Sequence, residues 1–310
     1  MFIVKHRKIF YALSVLLIGF SFFSIFKWGL NFGIDFKGGT IVEVQYTNAV
    51  VNASSTTPVA SMTTDDVKAK LGTLGLGDFT VQQTGQNGFI IRTKALEDSM
   101  RKQVTATLGG EIKRIDSVGP ILGQELQGKA MWSLVLVLLA IIIFITYAFR
   151  GVSKPISSWK YGVVAVVALF HDVIVPTGIF AYLGRNGGYE IDALFVTALL
   201  VILGFSIHDT IVVFDRTREN LKVLGFGHST NKKSFEEIVG MSIKQTIARS
   251  INTSLTTVLA LIALYMYGPS TTHTFSLALI IGIVVGTYSS IFIGSPLLVT
   301  WQKWQDKKGK

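Results

Sequence analysis

The segment from Ser250 to Gln302 contains no Asp, Glu, Lys or Arg. It is more than twice as long as the roughly 20 residues that one membrane-spanning helix needs, and Gly268-Pro269 interrupts it. The segment therefore predicts two membrane-spanning helices. Together with the other apolar runs, the sequence predicts six spans, at 9–26, 130–149, 161–183, 193–214, 250–267 and 275–301.

The composition supports a membrane protein. Of the 310 residues, 49% are hydrophobic and 15% are charged, whereas a soluble domain carries about 25% charged residues. The net charge of +10 could indicate a nucleic-acid partner, but residues 27–129 hold 11 Lys/Arg against 10 Asp/Glu. The excess lies in short segments beside apolar runs, so we expect a lipid bilayer as partner and no nucleic acid.

The basic residues also predict the orientation of the chain. The run from Ile9 to Phe26 follows three basic residues and lacks a small-x-small cleavage site, which indicates an uncleaved anchor rather than a signal peptide. An N-terminus in the cytoplasm places the 150–160 and 215–249 connections and the C-terminus there as well. These parts are rich in Lys and Arg, while the two short outer connections carry only Arg185.

Four regions follow from this topology. They are a cytoplasmic N-terminus with the first span (1–28), an extracytoplasmic domain (29–128), a bundle of five spans with a cytoplasmic loop at 215–249 (129–302), and a basic cytoplasmic tail (303–310). Within the loop, Ser234 and Glu237 match a helix capping box, and the apolar residues after Ser234 predict a short helix on the membrane surface.

The outer domain has the pattern of a small α+β fold. Strands are predicted at 41–46, 79–83, 89–92 and 112–118, and Asn87-Gly88 marks a hairpin turn. Helices are predicted from the N-cap Thr64 onwards and at 97–108, and residues 50–61 read as a loop. The order strand, helix, strand, strand, helix, strand predicts a ferredoxin-like domain.

Asp209 is the most informative single residue, because the fourth predicted span places it inside the membrane. A carboxylate there costs about 2.5 to 3.5 kcal/mol, so we expect it to face the bundle interior and to have a partner. Arg249 opens the fifth span from the same side and is the predicted partner. The pair either takes up and releases a proton as it breaks and forms, or acts as a permanent clip between two helices.

Other polar residues in or near the spans have two interpretations each. His171 and Asp172 in the third span form either a proton relay or two separately hydrogen-bonded buried groups, because adjacent residues face different sides of a helix. Asp215 fits the solvated headgroup boundary better than a proton pathway.

Small residues recur at four-residue spacing in the sixth span and predict close helix packing, within this chain or against a second subunit: Gly282, Gly286, Ser290 and Gly294.

Signatures of enzymes are missing from the sequence. There is no HExxH, Walker A or Gly-x-Ser-x-Gly motif, and no cysteine. The segment Gly75-Leu-Gly-Asp78 has the glycine-acid motif found in some intramembrane proteases. Its place after a helix of the outer domain favours a turn instead. We therefore expect no enzyme activity, no metal and no cofactor.

Several motifs resemble those of the SecF family in SecF order. The first, directly after span one, is Phe32-Gly-Ile-Asp-Phe-Lys-Gly-Gly-Thr40, with Gly33, Ile34, Asp35, Phe36, Gly38 and Gly39 as its recurring positions. Others are Val118-Gly-Pro, Gly123-Gln-Glu-Leu126, Leu169-Phe-His-Asp-Val173, Glu190-Ile-Asp192, residues 204–220 and residues 249–257. They extend over nearly the whole chain.

This resemblance implies a half of a twelve-helix unit of the resistance-nodulation-division superfamily, in the bacterial plasma membrane, with SecD supplying the other six helices. It also implies that the proton motive force assists unfolded preproteins that leave the SecYEG channel after the ATP-driven step of SecA, with YajC as an accessory partner. By motif position, Asp209 and Arg249 correspond to the proton-pathway residues of the family. His208 stands where the family usually has Asn.

Two other functions remain open at this point. A small-molecule or lipid exporter of the same superfamily would need an apolar substrate pocket and larger outer domains. A purely structural subunit that holds SecD in place would use Asp209 and Arg249 as a clip.

Overall fold

The computed structural model describes residues 2–46, 62–85, 87–150, 157–225 and 233–308. The predicted loop at 50–61 lies outside these ranges. The chain forms two compact units, one from residues 1–31 and 131–310 and the other from residues 32–130.

Six helical segments of the described chain are long and apolar enough to cross a membrane. After a short helix α1 (Phe2–Lys5), they are α2 (Arg7–Trp28), α6 (Pro120–Ala148), α7 (Ser158–Gly187), α8 (Ala193–Asn220), α9 (Phe235–Tyr267) and α10 (Ser270–Ser289). A π-helical turn, Leu221–Gly225, extends α8, and a second, Ser290–Gly294, joins α10 to α11 (Ser295–Lys308). The prediction of six spans is confirmed.

Several spans continue beyond their predicted ends. Helix α9 begins at Phe235, with the predicted capping box of Ser234 and Glu237, and runs without a break to Tyr267. The prediction of a separate surface helix after Ser234 is therefore wrong. The buried side chains of Ile238, Val239 and Ile243 explain this, because they pack into the same apolar core as the membrane part of the bundle.

At the end of the bundle where α2 begins, which we call the basic end, three chain segments meet on one carboxylate. Arg7 Nη1 lies 2.7 Å from Glu236 Oε1, and Lys303 Nζ donates a hydrogen bond to Glu236 Oε2. These contacts join the starts of α2 and α9 to α11.

Glycine permits a close contact between two helices of the bundle. A Cβ atom on Gly178 of α7 would lie 2.3 Å from the Cα of Ser21 on α2. The backbones of the two helices can approach this closely only because Gly178 has no side chain.

The second unit contains an antiparallel sheet of four strands: β1 (Gly39–Gln45), β2 (Phe79–Thr84), β3 (Gly88–Thr93) and β4 (Glu111–Val118). The strand order β2-β3-β1-β4, with helices α4 (Thr64–Gly72) and α5 (Asp98–Leu108), confirms the ferredoxin-like prediction. The N-cap of α4 is Thr63, whose side chain accepts a hydrogen bond from the amide of Asp66. The prediction of Thr64 was one residue late, because the Asp at position N3 completes a capping box only with Thr63.

The Gly-Gly element after the first span has a structural explanation within this unit. Residues Ile34–Lys37 form a short helix, α3, and the chain then enters β1 through Gly38 and Gly39. Gly38 has φ +75° and Gly39 has φ +145°, both in the region that favours glycine. A Cβ on Gly38 would lie 2.8 Å from Pro120 Cα, and one on Gly39 would lie 2.8 Å from the Thr93 carbonyl oxygen. Side chains at these positions would displace neighbouring backbone.

Candidate functional site

The candidate site begins with one face of α8. Ser206, Asp209 and Thr210 are buried, and their spacing of three and four residues places them on the same side of the helix. The helices that pack on this face supply further hydroxyl groups. The interior of the bundle is therefore polar along α8, although the surrounding helices are apolar.

Asp209 lies in this interior with 8% of its surface exposed. The hydroxyl of Ser250 on α9 donates a hydrogen bond to Asp209 Oδ1, whereas Oδ2 is buried without a hydrogen-bond partner. A buried carboxylate with one unpartnered oxygen is costly to keep charged, since the charge is neither hydrated nor fully hydrogen-bonded. The neutral, protonated acid is the form that suits this environment.

The predicted ion pair between Asp209 and Arg249 is not formed among the described residues. Arg249 is exposed and lines an open cleft of about 340 Å³ between α8 and α9, which Asp215 also lines. The reason is helical geometry: Ser250 faces Asp209, and its neighbour Arg249 points about 100° away around the helix. The roles predicted for both residues stay predictions.

Asp172 on α7 is the second buried acid, with no exposed surface. Its Oδ2 accepts hydrogen bonds from Ser206 of α8 at 2.6 Å and from Ser289 of α10 at 2.7 Å. Its Oδ1 lies 3.0 Å from Nδ1 of His171, so the two sequence neighbours contact each other. The two adjacent groups therefore touch, contrary to the expectation that they face different sides of the helix, and the choice between a proton relay and buried structural groups stays a prediction.

Further hydroxyl groups continue the polar interior. Ser290 Oγ donates to the carbonyl of Ser206 at 3.1 Å and lies 2.9 Å from Thr210 Oγ1. Ser254 Oγ lies 2.5 Å from Thr287 Oγ1. Apart from Ser290, which belongs to the predicted small-residue stripe, the sequence does not single out these side chains, because Ser and Thr in apolar helices commonly bond to the carbonyl four residues earlier. Their recurrence at helical spacing was the available signal.

The small-residue stripe packs within the chain. A Cβ on Gly282 would lie 2.1 Å from Ile202 Cδ1, and one on Gly286 would lie 3.0 Å from Ser206 Cβ. Gly294 is looser, with Thr210 Cγ2 at 3.7 Å from the corresponding position. The stripe therefore brings α10 against the polar face of α8, as the first of the two interpretations predicts.

Two predicted residues lie away from the interior. His208 on α8 is exposed, and Asp215 is exposed at the cleft beside Arg249. The exposure of Asp215 fits a solvated boundary position, whereas that of His208 places it on the outer surface of a membrane-spanning helix.

A bundle of six apolar helices that encloses two acids in a hydroxyl-rich interior, together with a ferredoxin-like domain, defines a polytopic membrane protein of the transporter type. Comparison with known proteins gives the family. A family model described as "Protein export membrane protein SecD/SecF, C-terminal" matches residues 98–304, and one described as "SecD/SecF GG Motif" matches residues 23–50. The chain belongs to the SecF family of protein translocase subunits.

Individual relatives support the same family. The protein translocase subunit SecF of Thermobaculum terrenum is 41% identical, with 97% of this chain and 93% of that protein covered. The SecF of Anaerolinea thermophila is 39% identical, over 98% of this chain and 96% of that protein. A crystal structure of SecDF from Thermus thermophilus, described as a translocon-associated membrane protein, matches with a TM-score of 0.78 and 31% identity. That match covers 97% of this chain and 38% of the SecDF chain.

Proposed function

We propose that this chain is the SecF half of a complex with SecD that uses the proton motive force to assist preprotein translocation after the ATP-driven step of SecA. Its setting is the bacterial plasma membrane, with both termini in the cytoplasm and the ferredoxin-like domain on the outer side. There the domain contacts unfolded preprotein that leaves SecYEG, with YajC as an accessory subunit. The basic end of the bundle then faces the cytoplasm, as the positive-inside rule requires.

The environment of Asp209 is the observation that carries the proposal. An acid inside a membrane bundle, with one hydroxyl donor and one unpartnered oxygen, fits a group that holds a proton in this state. When the proton leaves, the charge needs a counter-ion. Arg249 precedes Ser250 by one residue, so a rotation of α9 by about 100° brings its guanidinium towards Asp209.

The exposed polar side chains of α8 and α9 support a second membrane subunit. His208, Arg249, Asn252 and Thr253 are exposed in the isolated chain, and they lie in or beside the membrane spans. Polar side chains that face lipid are costly, so a partner helix is the expected cover. The SecD half is the partner that the family relationship supplies.

The energy of the gradient is sufficient for such a cycle. Moving one charge across 100 mV releases about 2.3 kcal/mol, so a few protons supply enough to shift a conformational equilibrium. The structural-clip alternative requires a stable ion pair between Asp209 and Arg249, and the exposed position of Arg249 argues against it.

Asp209→Asn tests the proposal, because asparagine keeps the shape of the side chain and cannot release a proton. We expect the variant to assemble with SecD at normal abundance while export assistance in cells falls to the level of a strain without the subunit. Asp215→Asn is the matched control and should export normally, since Asp215 is an exposed acid on the same helix. Normal export with Asp209→Asn would refute proton use at this residue, and lost assembly would favour the clip.

A further inference from the structure

The start of α7 carries a lysine that is buried without a carboxylate partner. We infer that Lys160, held between the indole rings of Trp159 and Trp301, binds the phosphate of an anionic phospholipid in the leaflet at the basic end of the bundle. This lipid site goes beyond the proposed function, since it requires neither export nor a proton gradient. The burial, the contacts and the depth of Lys160 carry the inference.

The first observation is the burial of Lys160. Only 6% of its surface is exposed, although a lysine is almost never buried unless it is paired. Every Asp and Glu of the chain lies among the described residues, and none of them forms an ion pair with Lys160. Glu236 at the basic end is already bound by Arg7 and Lys303. No carboxylate of the chain therefore neutralises Lys160.

The second observation is the pair of indole rings around the ammonium. Lys160 Nζ lies 5.7 Å from the ring centre of Trp159 and 5.9 Å from that of Trp301, and the two rings meet edge to face 5.6 Å apart. A cation–π contact attracts the ammonium but supplies no acceptor oxygen for its three N–H donors. Because Trp159 is half exposed, a ligand can approach the ammonium along this ring.

The third observation is the depth of the site. Lys160 directly precedes the apolar run of the third span, which begins at Tyr161. Trp301 ends an apolar segment and lies two residues before Lys303, which belongs to the basic end. Trp, Lys and Arg at the ends of membrane-spanning helices lie at the level of the lipid headgroups. The anion present at this depth is the lipid phosphate.

Lys27, near the end of α2, shows the same ring contacts without the burial. Its Nζ lies 5.1 Å from the ring centre of Phe23 and 5.9 Å from that of Trp28, but the residue is exposed. Water hydrates such an ammonium, as in a lysine that extends its amine to the membrane surface. Lys160 is covered instead, so it needs an acceptor that enters the site.

The charge of the lysine selects the kind of lipid. The phosphate of phosphatidylglycerol carries an uncompensated negative charge, whereas that of phosphatidylcholine is compensated by the choline cation of the same molecule. Basic residues near the membrane surface therefore favour anionic headgroups. We expect the site to prefer phosphatidylglycerol.

Native mass spectrometry of the full chain in detergent, titrated with phosphatidylglycerol or phosphatidylcholine, tests the inference, because the mass of each bound molecule identifies it. We expect the wild-type chain to bind its first phosphatidylglycerol more tightly than its first phosphatidylcholine. Lys160→Gln should weaken binding of phosphatidylglycerol about fivefold, which is the effect of one basic residue at an anionic headgroup, and leave that of phosphatidylcholine unchanged. Lys27→Gln is the matched control and should bind as the wild type does.

Equal affinity of the wild-type chain for the two lipids overturns the inference, and so does unchanged binding of phosphatidylglycerol in Lys160→Gln or an equal loss in Lys27→Gln. Excess inorganic phosphate should leave the lipid bound. Its displacement would assign the site to free phosphate and overturn the lipid assignment. If Lys160→Gln does not fold, Trp159→Leu at the half-exposed ring decides, because it too should weaken binding of phosphatidylglycerol. The export proposal is untouched by either result, since the measurement contains no SecD, preprotein or gradient.

Discussion

At the scale of single residues, hydroxyl groups bind both buried acids, and the imidazole of His171 also contacts Asp172. Ser250 binds Asp209, and Ser206 and Ser289 bind Asp172. A hydroxyl donor stabilises a carboxylate without neutralising it, so the acid can still gain and lose a proton. A permanent ion pair would hold the acid in its charged form.

Ser250→Ala removes the donor to Asp209. A hydrogen bond to a charged group contributes about 1.5 to 3 kcal/mol. Without it, the population of ionised Asp209 relative to the protonated form should fall at least tenfold. We expect gradient-dependent export to slow by about that factor while SecD assembly is unchanged. Ser254→Ala is the control on the same helix, because Ser254 bonds to the Ser250 carbonyl and to Thr287 instead. Equal export rates in the two variants would show that Ser250 does not act on Asp209.

A separate prediction concerns the ferredoxin-like domain. Hydrogen bonds from Thr63 lower the pKa of Asp66 below its ordinary value. Because the pKa is lower in the folded state, this contribution to stability is present above the unfolded-state pKa and disappears as pH falls through the folded-state pKa.

Amide hydrogen exchange in α4, corrected for intrinsic rates, measures this contribution. Protection should fall below about pH 4 in the wild-type chain. In Thr63→Ala, protection should be lower at neutral pH and nearly independent of pH. An unchanged pH profile in Thr63→Ala would contradict the role of the cap.

At the scale of helices and strands, the sequence predicted the existence of elements better than their ends. Apolar length identified each span, and period-two patterns with Asn87-Gly88 identified the sheet. The polar stretch at 235–249 continues α9 because its buried face packs on the bundle, which a hydropathy pattern does not reveal. Likewise, the cost of burying a carboxylate identifies Asp209 from the sequence. The sequence does not reveal that Arg249 is exposed, because this depends on the rotation of α9 about its axis.

Gly178→Ala tests helix packing. The new Cβ would lie 2.3 Å from Ser21 Cα, so α7 and α2 must separate. Overpacking of this kind typically costs about 1 to 3 kcal/mol, and we expect a lower midpoint of thermal unfolding in detergent. Gly19→Ala on α2 is the control, since nothing lies within 4 Å of its Cβ position. Equal midpoints for the two variants would contradict the close approach.

At the scale of the whole molecule, the chain combines a domain suited to water with a bundle that holds titratable groups inside the membrane. The family relationship accounts for this combination as one half of a protein-export machine. The sequence indicated both parts, since its motifs run in SecF order. It did not reveal that Asp172 shares the interior with Asp209, because that depends on the contact of α7, α8 and α10.

The central claim is that the proton on Asp209 couples the gradient to export. The most direct test measures translocation of a preprotein into inverted membrane vesicles that contain the wild-type complex or Asp209→Asn, with the proton gradient intact or collapsed by an ionophore. We predict that the gradient accelerates the SecF-dependent late step in the wild type, and that Asp209→Asn with a gradient matches the wild type without one. An equal acceleration by the gradient in both complexes would contradict the account.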